Sequence, residues 1–511
     1  MVAETPWLLS LSKHCLKLSG NIMLHILKVA WFTFFQASLS TLLALIIGLP
    51  AAFFCARRKF PGRKLLLSLS VVPFCVPSLI IALGYVTFLG LNGSLNQFLM
   101  FIFGLKEPPV RILYSFAGLI IAHGFYNFAL IMKTVAAAWE QLPAEQSESA
   151  RLLGASEARI FRTVTIYQLM PAIASSSLLV FIYCFLSFIM VLLFGGIGNS
   201  TLEVEIYKAA RAVLDFRQAA VLAIVETSIL CVITILYCML ENKASRIKGL
   251  SVNKIYPEKM KDWKEKICFG LLILVILIFF IAPLAGIGVN AFTSSKKGTG
   301  ITLLTFKRVI GMRSFWPSFI STVKTGACTG LLCTVIGFAY SCLLRFYEQK
   351  KWKRSVVLNV IPMLPMSVSS VVVGVFIIQM VRRGNIWCLI LAQTSLTWPM
   401  AYRQIYPHMV KISRDTLDAA LLLSKNPLQT IFRVVFPLTA KGILSAFGFC
   451  FAISAGDTTL PLVLAIPKYE CLSLFTYRLA GAYRFNEACA AGLCLGVLCA
   501  LVFALSSRKR H

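Results

Sequence analysis

A short charged segment that occurs twice organises this chain. Positions 148–154 read ESARLLG, and positions 418–424 read DAALLLS. Each segment begins with an acidic residue, continues through small and apolar residues, and reaches a turn residue six positions on. An Ile-Phe-Arg triplet follows each one, at 160–162 and at 431–433. Because both segments lie between long apolar runs, we expect one structural unit to be present in two copies.

The composition is that of a membrane protein. Of the 511 residues, 58% are hydrophobic and only 14% are charged, and the mean hydropathy is +0.80. A water-soluble fold needs more polar surface than this, so the sequence predicts several membrane-spanning helices. The formal net charge of +30 sits mostly in short loops between apolar runs, as the positive-inside rule expects. Since no basic region stands outside this pattern, we expect no nucleic-acid partner.

Eleven apolar runs are long enough to span a bilayer, which takes about 20 helical residues. They lie at about 30–56, 65–91, 112–137, 171–196, 218–241, 266–292, 317–344, 356–381, 386–410, 438–466 and 486–506. A further run around 98–103 is too short to span and is predicted to be an outer hairpin or a re-entrant piece. Four basic clusters, at 57–64, 242–265, 345–354 and 508–510, share one side with both charged segments. That side is predicted to be the cytoplasm, which puts the N-terminus outside.

The chain also divides into two parallel halves. Gly48 matches Gly337 at a shift of 289 residues, and Glu148 matches Asp418 at a shift of 270. Both charged segments face the same side, so the repeat is parallel rather than inverted. The predicted boundaries are 1–241 for the first half, 242–265 for a basic cytoplasmic linker and 266–511 for the second half.

The regions around the repeated segments, about 140–170 and 411–437, resemble the Glu-Ala-Ala loop of ABC importer permeases. In that family the loop forms a short coupling helix that docks into a groove on the cytoplasmic ATPase subunit. The first copy has Tyr167 where the family usually has proline, and the second has Asp for Glu and Ser for Gly. For one copy alone, an ordinary amphipathic surface helix is the alternative. The residues that the resemblance assigns to ATPase coupling are Glu148, Ala150, Gly154, Phe161 and Arg162, then Asp418, Ala419, Ala420, Ser424, Phe432, Arg433 and Pro437.

Segments 201–209 and 472–478, together with the duplicated layout, are similar to fused thiamine-transport permeases. Fused ferric-iron permeases share the layout and are the alternative. The resemblance implies an all-α, polytopic inner-membrane protein with about 11 (10–12) spans, built as two parallel repeats of the type I permease fold. It also implies two copies of an ABC ATPase subunit on the cytoplasmic side and an external, periplasmic solute-binding protein.

The sequence contains no G-x-x-x-x-G-K-[ST] loop and no hydrolase or metalloprotease motif. We therefore expect a translocation subunit that is not an enzyme and binds no metal or cofactor. ATP would be bound by the partner subunits.

Polar residues inside apolar runs are candidates for a translocation path. Asp457 is a costly acid in an apolar stretch, and its alternative role is a helix-end cap at the membrane surface. His123 and Asn127 in the third run, with Gln393 and Trp398 in the ninth, are further candidates, against the alternative of hydrogen bonds between helices. Asp457 looks nearly alone as an intramembrane acid, which disfavours the alternative of an ion-coupled secondary transporter.

Overall fold

The computed structural model is almost entirely helical over the residues that it describes. These are 6–71, 76–195, 200–247, 257–260, 262–293, 302–349, 358, 361–381 and 383–507. Within them the only strands are the two-residue β1 (Arg58–Lys59) and β2 (Glu258–Lys259), which pair in parallel. Parts of the predicted basic clusters lie outside the described residues: 248–256, 261, 350–354 and 508–510.

The helices follow the predicted duplication. Up to the linker they are α1 (Pro6–Arg57), α2 (Arg63–Ser68), α3 (Ser78–Leu89), α4 (Ser94–Phe103), α5 (Phe116–Trp139), α6 (Ala144–Leu152), α7 (Glu157–Ile160), α8 (Ile166–Phe185), α9 (Ile189–Phe194), α10 (Leu202–Lys208) and α11 (Phe216–Ile247). After it they are α12 (Trp263–Ile276), α13 (Ala282–Phe292), α14 (Leu304–Ile310), α15 (Phe315–Gln349), α16 (Ser370–Val381), α17 (Ile386–Val410), α18 (Arg414–Leu423), α19 (Pro427–Thr430), α20 (Phe436–Gly456), α21 (Thr459–Leu464), α22 (Leu472–Gly481) and α23 (Phe485–Ser507). The remaining helical turns are 3₁₀ at Leu69–Val71 and Ile361–Ser367, and π at Phe161–Thr165, Ala209–Val213, Leu277–Ile281 and Ile431–Val435.

The all-α polytopic fold is confirmed. Among the described residues, nine helices are long and apolar enough to cross a membrane. The 3₁₀ turn Ile361–Ser367 and α16 make a tenth crossing if they count as one span, with a bend of 83° between them. The predicted ninth run, 386–410, is the 25-residue helix α17. It is not one of the nine, because polar side chains such as Gln393 and Thr394 lower its mean hydropathy. These side chains are buried inside the protein.

The predicted second run, 65–91, does not form one continuous helix. Helix α2 ends at Ser68, and a new helix, α3, begins only after Pro77. Proline fixes φ and biases the residue before it away from helical geometry, which explains a start at this point. Helices α3 and α4 together, Ser78–Phe103, have the length of one span. The separate hairpin predicted around 98–103 is therefore the outer end of this span.

The two halves are interlocked. Helices α1, α5 and α8 form the core of the first half, and α15, α17 and α20 form that of the second. Helix α3 of the first half packs on α13 and α23, whereas α16 of the second half packs on α10. The Tyr85 hydroxyl in α3 donates to the Phe279 carbonyl oxygen at 2.8 Å. The predicted boundaries at 241 and 266 stay a prediction, because helices cross between the halves.

Two glycines permit the closest helix approach in each core. A Cβ at Gly48 would lie 2.9 Å from the Phe128 carbonyl oxygen, and one at Gly337 would lie 2.8 Å from the Tyr402 nitrogen. These contacts are with backbone, which cannot move aside cheaply. Small residues at such crossings are how membrane helices come together.

We predict that Gly48→Leu and Gly337→Leu will each lower thermal stability, because overpacking costs about 1–3 kcal/mol. The measurement is the unfolding temperature of the purified chain in detergent. Gly270→Leu is the matched control, since a Cβ there meets nothing within 4 Å. An unchanged unfolding temperature for both core variants would contradict the packing described here.

Candidate functional site

Both repeated segments fold into the same helix–turn–helix unit, here called the coupling loops (140–170 and 411–437). In each loop a first short helix, α6 or α18, is followed by a turn and a four-residue helix, α7 or α19. One π-helical turn then leads into the long helix α8 or α20. Phe161 and Ile431 open the two π turns, and they are 270 residues apart, as the predicted shift requires.

Each coupling loop carries an exposed pair of leucines at its turn. Leu152 and Leu153 are 89% and 88% exposed, and Leu422 and Leu423 are each 88% exposed. The pairs occupy equivalent positions in the two halves. Large apolar side chains held in water at the tip of a charged loop indicate a contact with another protein. Sequence reasoning missed these leucines, although both quoted segments contain them.

The bases of the coupling loops are fixed while their tips are free to make contacts. Leu142 and Ile412 enter the two loops and are buried at equivalent positions. The second base is also held by Arg345, which donates to the Ile412 carbonyl oxygen at 2.9 Å. Ile160 and Thr430, just before the π turns, are buried as well. A rigid base under an exposed tip lets a force on the tip reach the long helix behind it.

The two coupling loops make equivalent turns with different backbone conformations. Gly154 has φ +80°, a left-handed conformation that glycine adopts without a steric penalty. Ser424 has φ −99°, so the second loop needs no glycine. There, the Asn426 side chain accepts from the Gln429 amide at 2.8 Å and caps α19, and Pro427 opens that helix. This difference explains why the second copy tolerates serine.

Most of the predicted coupling residues lie at the surface of these loops. Glu148, Asp418 and Ala419 are exposed on the first short helices, whereas Ala150 and Ala420 are half-buried. The predicted residues of the second arms, Phe161, Arg162, Phe432, Arg433 and Pro437, are exposed, and Ser424 at the second turn is half-buried.

The two Ile-Phe-Arg triplets are offset by one position in the backbone. Phe161 is equivalent to Ile431, not to Phe432. Phe161 is 41% exposed and stacks on Trp139 with 5.9 Å between ring centroids, whereas Phe432 is 65% exposed. The two phenylalanines therefore face different surroundings despite the shared sequence letters.

The first coupling loop lies close to the basic cluster at 57–64. Arg151 donates to Glu157 at 2.5 Å. This hydrogen bond is the main cause that holds the pKa of Glu157 below its ordinary value, and the positive charges of Arg57 and Arg58 lower the pKa further. Charges that act on one another in this way lie on one side of the membrane. The predicted grouping of this cluster with the loop agrees with this contact.

A cavity of about 330 Å³ lies between the two halves. Two of the predicted path residues, Gln393 and Asp457, line it. Helix α20 ends at Gly456, just before Asp457, and α21 begins two residues later. The lining includes the aromatic, polar and sulfur-containing side chains of Tyr126, Tyr183, Glu203, Met366, Gln393, Met400 and Asp457.

Asp457 combines the two roles weighed for it. Its Oδ1 atom accepts from the backbone amides of Thr459 at 2.9 Å and Leu460 at 3.3 Å, so it caps α21. Its Oδ2 atom accepts from the Gln393 amide at 3.1 Å. The capping carboxyl group lies on the wall of the cavity between the halves.

The first half has a corresponding pair. His123 and Ser187 stand 270 residues before Gln393 and Asp457, and their side chains are 2.7 Å apart. The other ring nitrogen of His123 pairs with the Gln36 amide at 2.6 Å. His123 lines a smaller neighbouring cavity of about 180 Å³, which Ser187 also lines.

Asn127 and Trp398 have different surroundings. The Asn127 amide donates to the His123 carbonyl oxygen at 3.0 Å, within one helix, and contacts the Cys184 sulfur of another. It also lines the smaller cavity. Trp398 packs on the Tyr340 ring, with 5.4 Å between centroids, and is absent from the described lining of both cavities. The structure therefore does not place Trp398 with the other path candidates.

Two buried acids were missed from the sequence. Glu203 is 2% exposed and Glu226 is fully buried. Their carboxyl groups lie next to each other and beside the hydroxyl of Ser369 from the second half. The expectation that Asp457 stands nearly alone was therefore wrong. The signal was available, because Glu226 interrupts the predicted fifth run, but an average over a whole apolar run conceals one acid.

Comparison with known proteins decides the family. A sequence model of the binding-protein-dependent transport system inner membrane component matches residues 44–248 and 341–508. The chain belongs to this family. Each match contains one coupling loop and two complete core helices, α5 and α8 in the first half and α17 and α20 in the second, so the internal repeat is a duplication of the family domain. The protein is thus a multi-pass inner-membrane permease of a binding-protein-dependent ABC importer, with both halves in one chain.

Curated relatives extend over nearly the whole chain. The thiamine transport system permease protein of Brucella abortus is 24% identical over 96% of this chain and 89% of its own length. The protein with the same description from Escherichia coli is 25% identical over 93% of this chain and 87% of its own. The ferric transport system permease protein of Actinobacillus pleuropneumoniae is 24% identical over 89% of this chain, but this covers only 65% of its own length.

We predict that Gly154→Ala will loosen the first coupling loop, because an L-residue in the left-handed region costs about 1–2 kcal/mol. A Cβ at Gly154 meets nothing within 4 Å, so the cost comes from the backbone alone. Hydrogen exchange of amides 150–156 should accelerate about five- to thirtyfold. The control Ser424→Ala should leave exchange around 420–426 unchanged, and equal acceleration in both loops would contradict the assignment.

Proposed function

We propose that the permease carries thiamine into the cytoplasm. The observation that supports this is the similarity to permeases described as thiamine transport proteins, which extends over 96% of the chain and both halves. An external binding protein would deliver the solute to the outer side.

We further propose that one cytoplasmic ATPase subunit docks on each coupling loop. Support comes from the equivalent, exposed leucine pairs Leu152–Leu153 and Leu422–Leu423. Fully burying one leucine contributes about 1.5–3 kcal/mol, so each pair can anchor a subunit. Closure of the two ATPases would push both loops and rock the two halves against each other.

On this proposal the chain binds no ATP and hydrolyses none. The sequence offers no phosphate-binding loop of the P-loop type, and the coupling loops are shaped for contact rather than for chemistry. ATP would be the substrate of the partner subunits, and this chain would need no cofactor of its own.

Ferric iron is the second candidate solute, because one relative is described as a ferric permease. The described residues contain no group of three or more His, Cys, Asp or Glu side chains that could hold a metal ion. Hard cations such as ferric iron favour several oxygen ligands, so this argues for thiamine. An ion-coupled secondary transporter is disfavoured by the family, although the buried acids by themselves would have allowed it.

The test is the ATPase activity of this chain reconstituted with its ATPase subunits and binding protein in liposomes. Thiamine should stimulate hydrolysis, and ferric iron should not. The matched control is the same complex without the binding protein, in which neither solute should stimulate. Stimulation by iron alone would contradict the proposed solute, and no association with an ATPase would contradict the importer mechanism.

A further inference from the structure

The cavity between the halves is lined by acidic side chains without basic ones among the described residues. Its lining contains two carboxyl side chains, Glu203 from the first half and Asp457 from the second, and no Lys, Arg or His among the described residues. Both oxygens of Asp457 accept hydrogen bonds. The Oε2 atom of Glu203, in contrast, has no hydrogen-bond partner in the described part of the chain. A buried carboxyl group without a partner is costly, so a missing partner is indicated.

Glu226 strengthens this indication. It lies directly behind Glu203, and the hydroxyl of Ser369 lies beside both carboxyl groups. Two adjacent buried carboxyl groups require a shared proton or a nearby cation. Only Glu203 reaches the cavity wall, because Glu226 is not among its lining residues. A cation in the cavity would therefore meet Glu203 first.

The rest of the wall favours an organic cation over a metal ion. Two aromatic residues, Tyr126 and Tyr183, line the cavity together with Met366 and Met400, which have polarizable thioethers. Aromatic faces attract ammonium-like and other soft cations, and thioethers adapt to irregular apolar shapes. The volume of about 330 Å³ is in the range of small-molecule sites.

We propose that this cavity is a transit site for a small organic cation, held between Glu203 of the first half and Asp457 of the second. The inference rests on the proposed function only in taking thiamine, which carries a quaternary nitrogen, as the natural occupant. Because the two acids belong to different halves, a rocking movement changes their separation. The site therefore weakens when the halves move, and the cation is released.

The test is direct binding to the purified chain in nanodiscs, without ATPase or binding protein. Three probes are compared: thiamine, thiochrome (the uncharged oxidation product of thiamine) and tetraethylammonium. Thiamine and tetraethylammonium should bind, and thiochrome should bind at least about tenfold more weakly, because it lacks the charge. Equal binding of thiamine and thiochrome, or no binding of either cation, overturns the proposal.

This design separates the inference from the proposed solute. If tetraethylammonium binds and thiamine does not, the cation site stands and the thiamine proposal fails. If thiamine stimulates the reconstituted ATPase but neither cation binds the purified chain, the proposed function stands and the cavity site fails.

Substitutions of the acidic residues test which side chains form the site. Glu203→Gln and Asp457→Asn should each weaken thiamine binding about tenfold, because each removes one charged contact. Glu487→Gln is the matched control, since this half-buried acid on α23 lies outside the lining. It should change the affinity less than about threefold. An equal loss in all three variants, accompanied by a lower unfolding temperature, would show a general structural effect and contradict the site.

Discussion

The bilayer requires that every backbone polar group be satisfied inside the protein, and this requirement shapes the cavity. An interrupted helix at membrane depth is tolerated only where protein or a polar cavity covers the break. Both halves contain such a break, before α9 and before α21. At the second break, the Asp457 side chain accepts from the freed amide of Thr459, and the Ser473 hydroxyl donates to the Asp457 carbonyl oxygen at 2.8 Å. Asp457, whose side chain repairs this break, is thus also a residue of the cavity lining.

The two halves are alike in their coupling loops and differ in the residues that line the cavity. The coupling loops match in helix bounds, in the π turn and in the exposed leucine pairs. The cavity walls differ: the positions of His123 and Ser187 in one half are occupied by Gln393 and Asp457 in the other, and Glu203 corresponds to Ser473. A fused chain permits this division, because its two halves can diverge at the cavity while both coupling loops keep their exposed leucine pairs.

Much of this architecture could be predicted from the sequence. The coupling loops stood out because charged residues are rare in so apolar a chain, and the shift of 270 residues between Glu148 and Asp418 holds throughout both loops. At Pro77 a kink could be expected, but the full break before Ser78 could not, because an apolar run does not show whether a proline bends a helix or ends it. Glu203 and Glu226 were missed because they come together only through packing of α10 on α11. The exposed leucine pairs of the coupling loops were missed because the exposure of a side chain depends on the fold, not on residue type.

The central claim is that one chain offers two equivalent docking points, and the most direct test is the mass of the assembled complex. Native mass spectrometry of the chain purified with its ATPase should give one permease with two ATPase subunits. Replacing both Leu152 and Leu153 with serine should leave one ATPase subunit bound, through the pair Leu422–Leu423 of the other loop. Serine at the exposed outer residue Leu303 is the control and should leave two subunits bound. A wild-type complex with a single ATPase subunit, or a leucine-pair variant that still binds two, would contradict the account.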